Sequence, residues 1–109
     1  MRVCVKVSFP VDAGNRAIAD GSIGKTIQSI LEEMKPEASY FVADGGQRTA
    51  YIFCDMQEPS QIPALAEPWF LAFNAKVDIQ PAMNAADLAK AAPAMEQAVR
   101  KYASRTMTA

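Results

Sequence analysis

The chemistry open to this chain is limited by what it lacks. Its 109 residues include no histidine. That excludes Ser-His-Asp and Cys-His catalysis, histidine zinc sites and a histidine-ligated haem. The cysteines and carboxylates show no metal-ligand spacing, so no metal or other cofactor is expected. One constellation remains: Lys6 and Ser8 in the first alternating segment, Asp78 and Gln80 in the last. On neighbouring strands, Lys6 and Asp78 would share the face turned away from the valines. Two readings stay open. One is a cross-strand ion pair inside an interface. The other is a pocket in which Lys6 holds a carboxylate while Tyr40 or Tyr51 contacts a ring. The candidate ligand-binding residues are therefore Lys6, Ser8, Tyr40, Tyr51 and Asp78; no catalytic residue is assigned.

Ala19-Asp20-Gly21-Ser22-Ile23-Gly24-Lys25-Thr26 fits a relaxed phosphate-loop pattern with alanine in place of the first glycine. Tyr51-Ile52-Phe53-Cys54-Asp55 even resembles the apolar strand whose aspartate holds magnesium. Such a loop must follow its strand directly. Here a further segment separates Pro10 from Ala19, and the chain is too short for the parallel sheet that supports these loops. The segment reads as a helix start with a solvent-facing lysine, or at most an anion site. Trp69, Phe70 and Phe73 concentrate aromatics on one helix and read as packing residues. Glu32, Glu33 and Glu37 read as a solvated face, and Arg48 as a solvated hairpin residue. Cys4 and Cys54 lie in apolar segments without C-x-x-C spacing and read as reduced thiols.

Eleven basic residues against twelve acidic ones leave no excess to grip a phosphate backbone, so no nucleic-acid partner is expected. Lys6 interrupts any signal-peptide core, no A-x-A-like site follows, and no apolar run is long enough to span a bilayer. A cytoplasmic location is expected, with no membrane contact.

These residues are positioned by elements that the periodicity marks. Val3, Val5, Val7 and Phe9 alternate with Cys4, Lys6 and Ser8, which is a strand with one face on a core, ended by Pro10. Residues 12–20 form a short helical or looped approach. Ser22 is placed to cap a helix whose stripe is Ile23, Ile27, Ile30, Leu31 and Met34, stopped by Pro36. Two apolar runs, 38–44 and 48–56, flank Asp44-Gly45-Gly46-Gln47, a strong hairpin signal. Ser60 opens a second helix with an inner stripe of Ile62, Leu65, Ala66, Trp69 and Phe73, which Pro68 should kink or restart. Residues 76–80 alternate again. Asn84 caps a third helix with the stripe Leu88, Ala92, Met95, Val99 and Tyr102, split by Pro93. Residues 1–103 are read as one domain and 104–109 as a frayed tail.

The order β-α-β-β-α-β-α predicts an α+β fold: a ferredoxin-like antiparallel sheet ordered 4-1-3-2, helices on one face, plus a C-terminal helix. The hairpin strands are apolar on both sides, Tyr40 and Val42 against Phe41 and Ala43, Tyr51 and Phe53 against Ile52 and Cys54. A doubly apolar strand is normally covered twice. Helices cover one face, so a second copy of the sheet is expected on the other, making the chain its own partner.

Ala66-Glu67-Pro68-Trp69-Phe70-Leu71-Ala72-Phe73-Asn74-Ala75-Lys76-Val77-Asp78-Ile79-Gln80-Pro81 resembles the muconolactone isomerases, in which a Leu-Pro-Leu-Phe helix leads into a last strand Asp-Ile-Glu-Val-Thr-Pro. The strand, its proline and Asn84-Ala85-Ala86-Asp87-Leu88 also resemble GYD-domain proteins. Both belong to the dimeric α/β-barrel superfamily, where two ferredoxin-like protomers pack sheet to sheet. The resemblance covers about 25 residues and implies a fold and a homodimer. It assigns no catalytic position, since no residue here matches an isomerase catalytic residue. Two functions follow as expectations: a protein that binds a small molecule between its sheet and its partner, or a cofactor-independent isomerase or monooxygenase-like enzyme acting on a small aromatic-derived acid.

Overall fold

The computed structural model describes residues 1–103; the expected tail at 104–109 lies outside them. Strand β1 runs Arg2–Ser8, with every second residue buried. Helix α1 follows at Val11–Ala19. It is a full helix, where the sequence suggested only a short approach, and it adds one element to the expected order. Helix α2 spans Ile23–Met34. Ser22 does not cap it with its side chain. Ser22 itself sits in helical backbone, and its amide donates to Asp20 Oδ1 at 2.9 Å, so Asp20 closes the turn between the helices instead.

Strands β2 (Ala38–Asp44) and β3 (Gln47–Asp55) form the hairpin. Gly45 and Gly46 both have positive φ, 60° and 77°, which a two-residue turn of this hand requires. A short 3₁₀ turn, Pro59–Gln61, precedes α3 at Ile62–Phe73. Ser60 therefore lies in that turn, its hydroxyl donating to Glu58, rather than opening α3. Ile62, expected inside, is 43% exposed. Helix α3 runs unbroken through Pro68. Buried Leu65 and Ala66 before it, and Trp69 and Phe73 after it, hold both halves on the core. That packing outweighs the lost amide bond. Asn74 ends the helix in left-handed backbone, its amide donating to the Phe70 carbonyl at 2.9 Å.

Strand β4 is Lys76–Pro81. Asn84 then caps α4, Ala85–Lys90: its side chain accepts from the Asp87 amide at 2.8 Å, and Asp87 returns the bond. Helix α5, Ala92–Ala98, begins afresh with Pro93 in its first turn, and one π-helical turn, Val99–Ala103, follows.

The four strands make one antiparallel sheet in the order β2-β3-β1-β4. Read from the other edge, this is 4-1-3-2. The register sets Val3, Val5 and Val7 against Cys54, Ile52 and Ala50, and Val5 and Val7 against Ile79 and Val77. These residues join Ala17, Ile30, Leu65, Trp69 and Phe73 in one core, so α1, α2 and α3 cover the same face of the sheet. Phe9, Trp69 and Phe73 interlock there, Phe9 standing edge-on to both rings at 6.0 and 5.0 Å. Phe70, beside that stripe, is 40% exposed.

The C-terminal helices do not join this core. Leu88, Met95 and Val99 are 50, 48 and 59% exposed. The molecule measures 63 × 30 × 22 Å with a radius of gyration of 18.7 Å. A compact chain of this length would have about 13 Å.

Candidate functional site

The candidate site lies on the sheet face opposite the helices. Strand parity builds it. In β1 the residues alternating with the buried valines are Cys4, Lys6 and Ser8, and the register sets them opposite Phe53, Tyr51 and Thr49 of β3. Tyr51 in turn faces Tyr40 on β2, and Lys6 faces Asp78 on β4. All five residues expected to form the site therefore share one face. Tyr40 and Asp78 are exposed, while Lys6, Ser8 and Tyr51 are half-buried.

The ion pair is not the one the strand order suggested. The Lys6 ammonium meets Asp44 Oδ2 at 3.2 Å, and the Tyr51 hydroxyl donates to the same oxygen at 2.6 Å. In the sequence Asp44 marks only the start of the hairpin turn. Its parity, shared with Tyr40 and Val42, puts it on the Lys6 face. Long side chains leaning along their strands then converge on the hairpin end. The parity rule would have found it; the proximity of β4 to Lys6 pointed elsewhere. Lys6 also sits 5.7 Å from the Tyr51 ring centre, within cation–π range.

The three groups tune one another. The Tyr51 hydrogen bond, then the Lys6 ammonium, hold the Asp44 carboxyl below its ordinary range. The hydrogen bond to Asp44 pushes the Tyr51 hydroxyl up. Asp44, by hydrogen bond and charge, pushes Lys6 up. Across neutral pH the cluster thus holds an ionised carboxylate, a neutral phenol and an ammonium. Every shift moves away from neutrality, whereas an efficient general base sits near the operating pH. The arrangement suits binding more than proton transfer. An ammonium carries three donors and Asp44 takes one, which leaves capacity for another acceptor. On the β2 side of the cluster the surface is apolar and aromatic, with Tyr40 61% and Val42 45% exposed, while on the β4 side Lys76, Asp78 and Gln80 make it polar.

The remaining candidates resolve differently. Gly21 and Ser22 join α1 to α2, and Ile23–Thr26 form the first turn of α2; α1 stands between β1 and this segment, so the strand context of a phosphate loop is missing. Lys25 is exposed. Arg48, expected in solvent, is half-buried on the helix side, where it donates to Asn15 Oδ1 at 3.0 Å and to the Val11 carbonyl at 3.5 Å. Cys4 and Cys54 are both free. They lie on adjacent strands but on opposite faces, since Cys54 faces Val3, the neighbour of Cys4. Burial raises both thiols. Among the described residues no cluster of histidine, cysteine and carboxylate side chains could hold a metal ion, and no helix is long and apolar enough to cross a membrane.

Compared with the models of known protein families, with curated proteins and with solved structures, the chain matches none.

Proposed function

We propose that this chain is a small-molecule-binding protein that works as a homodimer, two copies pairing through their uncovered sheet faces. In this reading the β-α-α-β-β-α-β body is a ferredoxin-like protomer with one added helix, and the pair forms a dimeric α/β barrel. The observation that carries it is the Lys6–Asp44–Tyr51 cluster on an uncovered sheet face, with exposed Tyr40 and Val42 on its β2 side and exposed Lys76, Asp78 and Gln80 on its β4 side. An exposed patch of this kind marks an interaction surface. A second sheet laid over it would enclose the cluster in a cleft where a few polar groups meet the aromatic side chains of β2 and β3, the usual build of a ligand site. The ligand that fits is a small ring-bearing acid: its carboxylate on Lys6, its ring against Tyr40 or Tyr51, with Ser8 and Asp78 at the margin. The directions of the pKa shifts favour binding over the alternative of a cofactor-independent isomerase or oxygenase.

Sedimentation and a thermal-shift series with small aromatic carboxylates test this together. A dimer at micromolar concentration is expected, with a melting temperature raised by at least one carboxylate. Lys6→Met should fold and keep the dimer but lose that rise. A well-folded monomer at tens of micromolar refutes the pairing. A ligand shift that survives Lys6→Met refutes the role of the ammonium.

A further inference from the structure

The sheet ends in two edge strands that differ in kind. The β4 edge is guarded: Lys76 and Asp78 are exposed along it, and Pro81 ends it. Charge and proline of this sort keep an edge from pairing. The β2 edge has no such guard. Ala38–Asp44 is seven residues long, holds no lysine or proline, and carries its one charge, Asp44, at the turn. Tyr40, Phe41 and Val42 in its middle are 61, 53 and 45% exposed.

The bonds already made show which backbone groups of β2 are left over. The Phe9 amide donates to the Arg48 carbonyl at 2.9 Å, so Arg48 turns its backbone towards β1. The Glu37 amide donates to the Phe53 carbonyl at 2.8 Å, so Phe53 turns its backbone towards β2. Backbone direction alternates along a strand, so β3 bonds β2 at Ala38, Tyr40, Val42 and Asp44. Ser39, Phe41 and Ala43 therefore aim their N–H and C=O groups out of the free edge.

We propose that β2 pairs antiparallel with β2 of a second copy about a two-fold axis at Phe41, joining two sheets edge to edge. The strand complements itself. Phe41 meets the second copy's Phe41, Ser39 meets Ala43 and Ala43 meets Ser39, and each pair exchanges both of its backbone bonds. No other antiparallel register uses all three outward residues of both copies. The side chains agree with it. The two Phe41 rings lie side by side on the helix side, next to the apolar recess that Ile27 and Leu31 line, and Tyr40 meets Val42 on the other face. Asp44 meets Ala38, so no charge faces a like charge. That self-match selects a second copy over an unrelated strand. One strand pair is a small contact, under about 1,200 Å², so the pairing is weak and forms at high protein concentration. It needs neither the ligand nor the sheet-to-sheet contact of the proposed function.

Amide hydrogen exchange, followed by NMR on the full chain at millimolar concentration, tests the edge residue by residue. The comparison is with Phe41→Lys, which sets two ammoniums against each other at the axis. In the parent the Ser39 and Ala43 amides should exchange at least tenfold more slowly than in the variant. The Tyr40 and Val42 amides, held by β3, should be alike in both and report that the fold is intact. Ala43→Pro, whose lost N–H points off the edge, is the second variant and should free the Ser39 amide equally. Diffusion measurements on the same samples should find the parent larger than either variant. Fast Ser39 and Ala43 exchange in the parent overturns edge pairing; sheet pairing still stands if sedimentation finds a dimer at micromolar concentration. Slow exchange that both variants retain also overturns it, because something other than a second β2 then covers the edge. Slow exchange that both variants lose, in a protein that is monomeric at tens of micromolar, upholds edge pairing and refutes sheet pairing.

Discussion

Replacing Gly14 by alanine puts two effects of similar size in opposition. Gly14 is buried inside α1, and its φ is not positive, so alanine fits the backbone there. In a helix interior that exchange stabilises by about 1 kcal/mol. Against it, a β-carbon at position 14 would stand 2.6 Å from Arg48 Nη1 and 3.5 Å from Cδ and Cζ. The guanidinium must swing away, giving up its bonds to Asn15 and to the Val11 carbonyl. Those tie α1 to β3. One is long, both are near water, and together they contribute about 1 kcal/mol. Gly14→Ala should therefore leave stability within about 0.5 kcal/mol of the parent. In an Arg48→Ala background the opposing term is absent, and the same exchange should stabilise by the full ~1 kcal/mol. The double-mutant cycle should return a coupling near 1 kcal/mol. Urea unfolding followed through Trp69, the single tryptophan, measures all four proteins. Equal stabilisation in both backgrounds would show that Arg48 does not rest against Gly14, and the account of how α1 is held would be wrong.

Two further outcomes concern the sheet. Asp44 titrates below its ordinary value in the fold, so its contribution is full above about pH 4 and is lost as pH falls through the folded value. Tyr51 is raised, so its contribution is full below about pH 10 and is lost as pH rises through its folded value. The melting-temperature difference between the parent and Asp44→Asn should accordingly be widest between those limits and close at either end; a difference constant from pH 3 to 7 would count against the cluster. With a thiol reagent under native conditions, half-buried Cys4 should react well before Cys54, which is 1% exposed. Oxidation should give no internal bridge, because the two β-carbons point to opposite faces; a disulfide-linked Cys4–Cys54 peptide in the digest would contradict the register.

Periodicity by itself marked the four strands, their faces and most of the helices, though not the full extent of α1 or the exposure of Ile62. Alternation of Val3, Val5 and Val7 places one side of β1 in the core whatever surrounds it, because a strand turns successive side chains to opposite sides. Gly45-Gly46 announced the hairpin, since two successive residues with positive φ suit glycine, and Asn84 announced the third helix as its cap, to which the structure adds the returning bond of Asp87. The face holding Lys6, Ser8, Tyr40, Tyr51 and Asp78 was legible for the same reason. Only the tertiary structure decided who meets whom on it. Parity states a side but not a distance, and Lys6 reaches along the sheet to Asp44 rather than across to Asp78. Pro68 was likewise beyond local rules, because burial on both sides of it outweighs one missing amide bond. The stripe of Leu88, Met95 and Val99 shows the limit most plainly. An amphipathic pattern demands a partner without naming it, and the fold of one chain leaves that demand unmet.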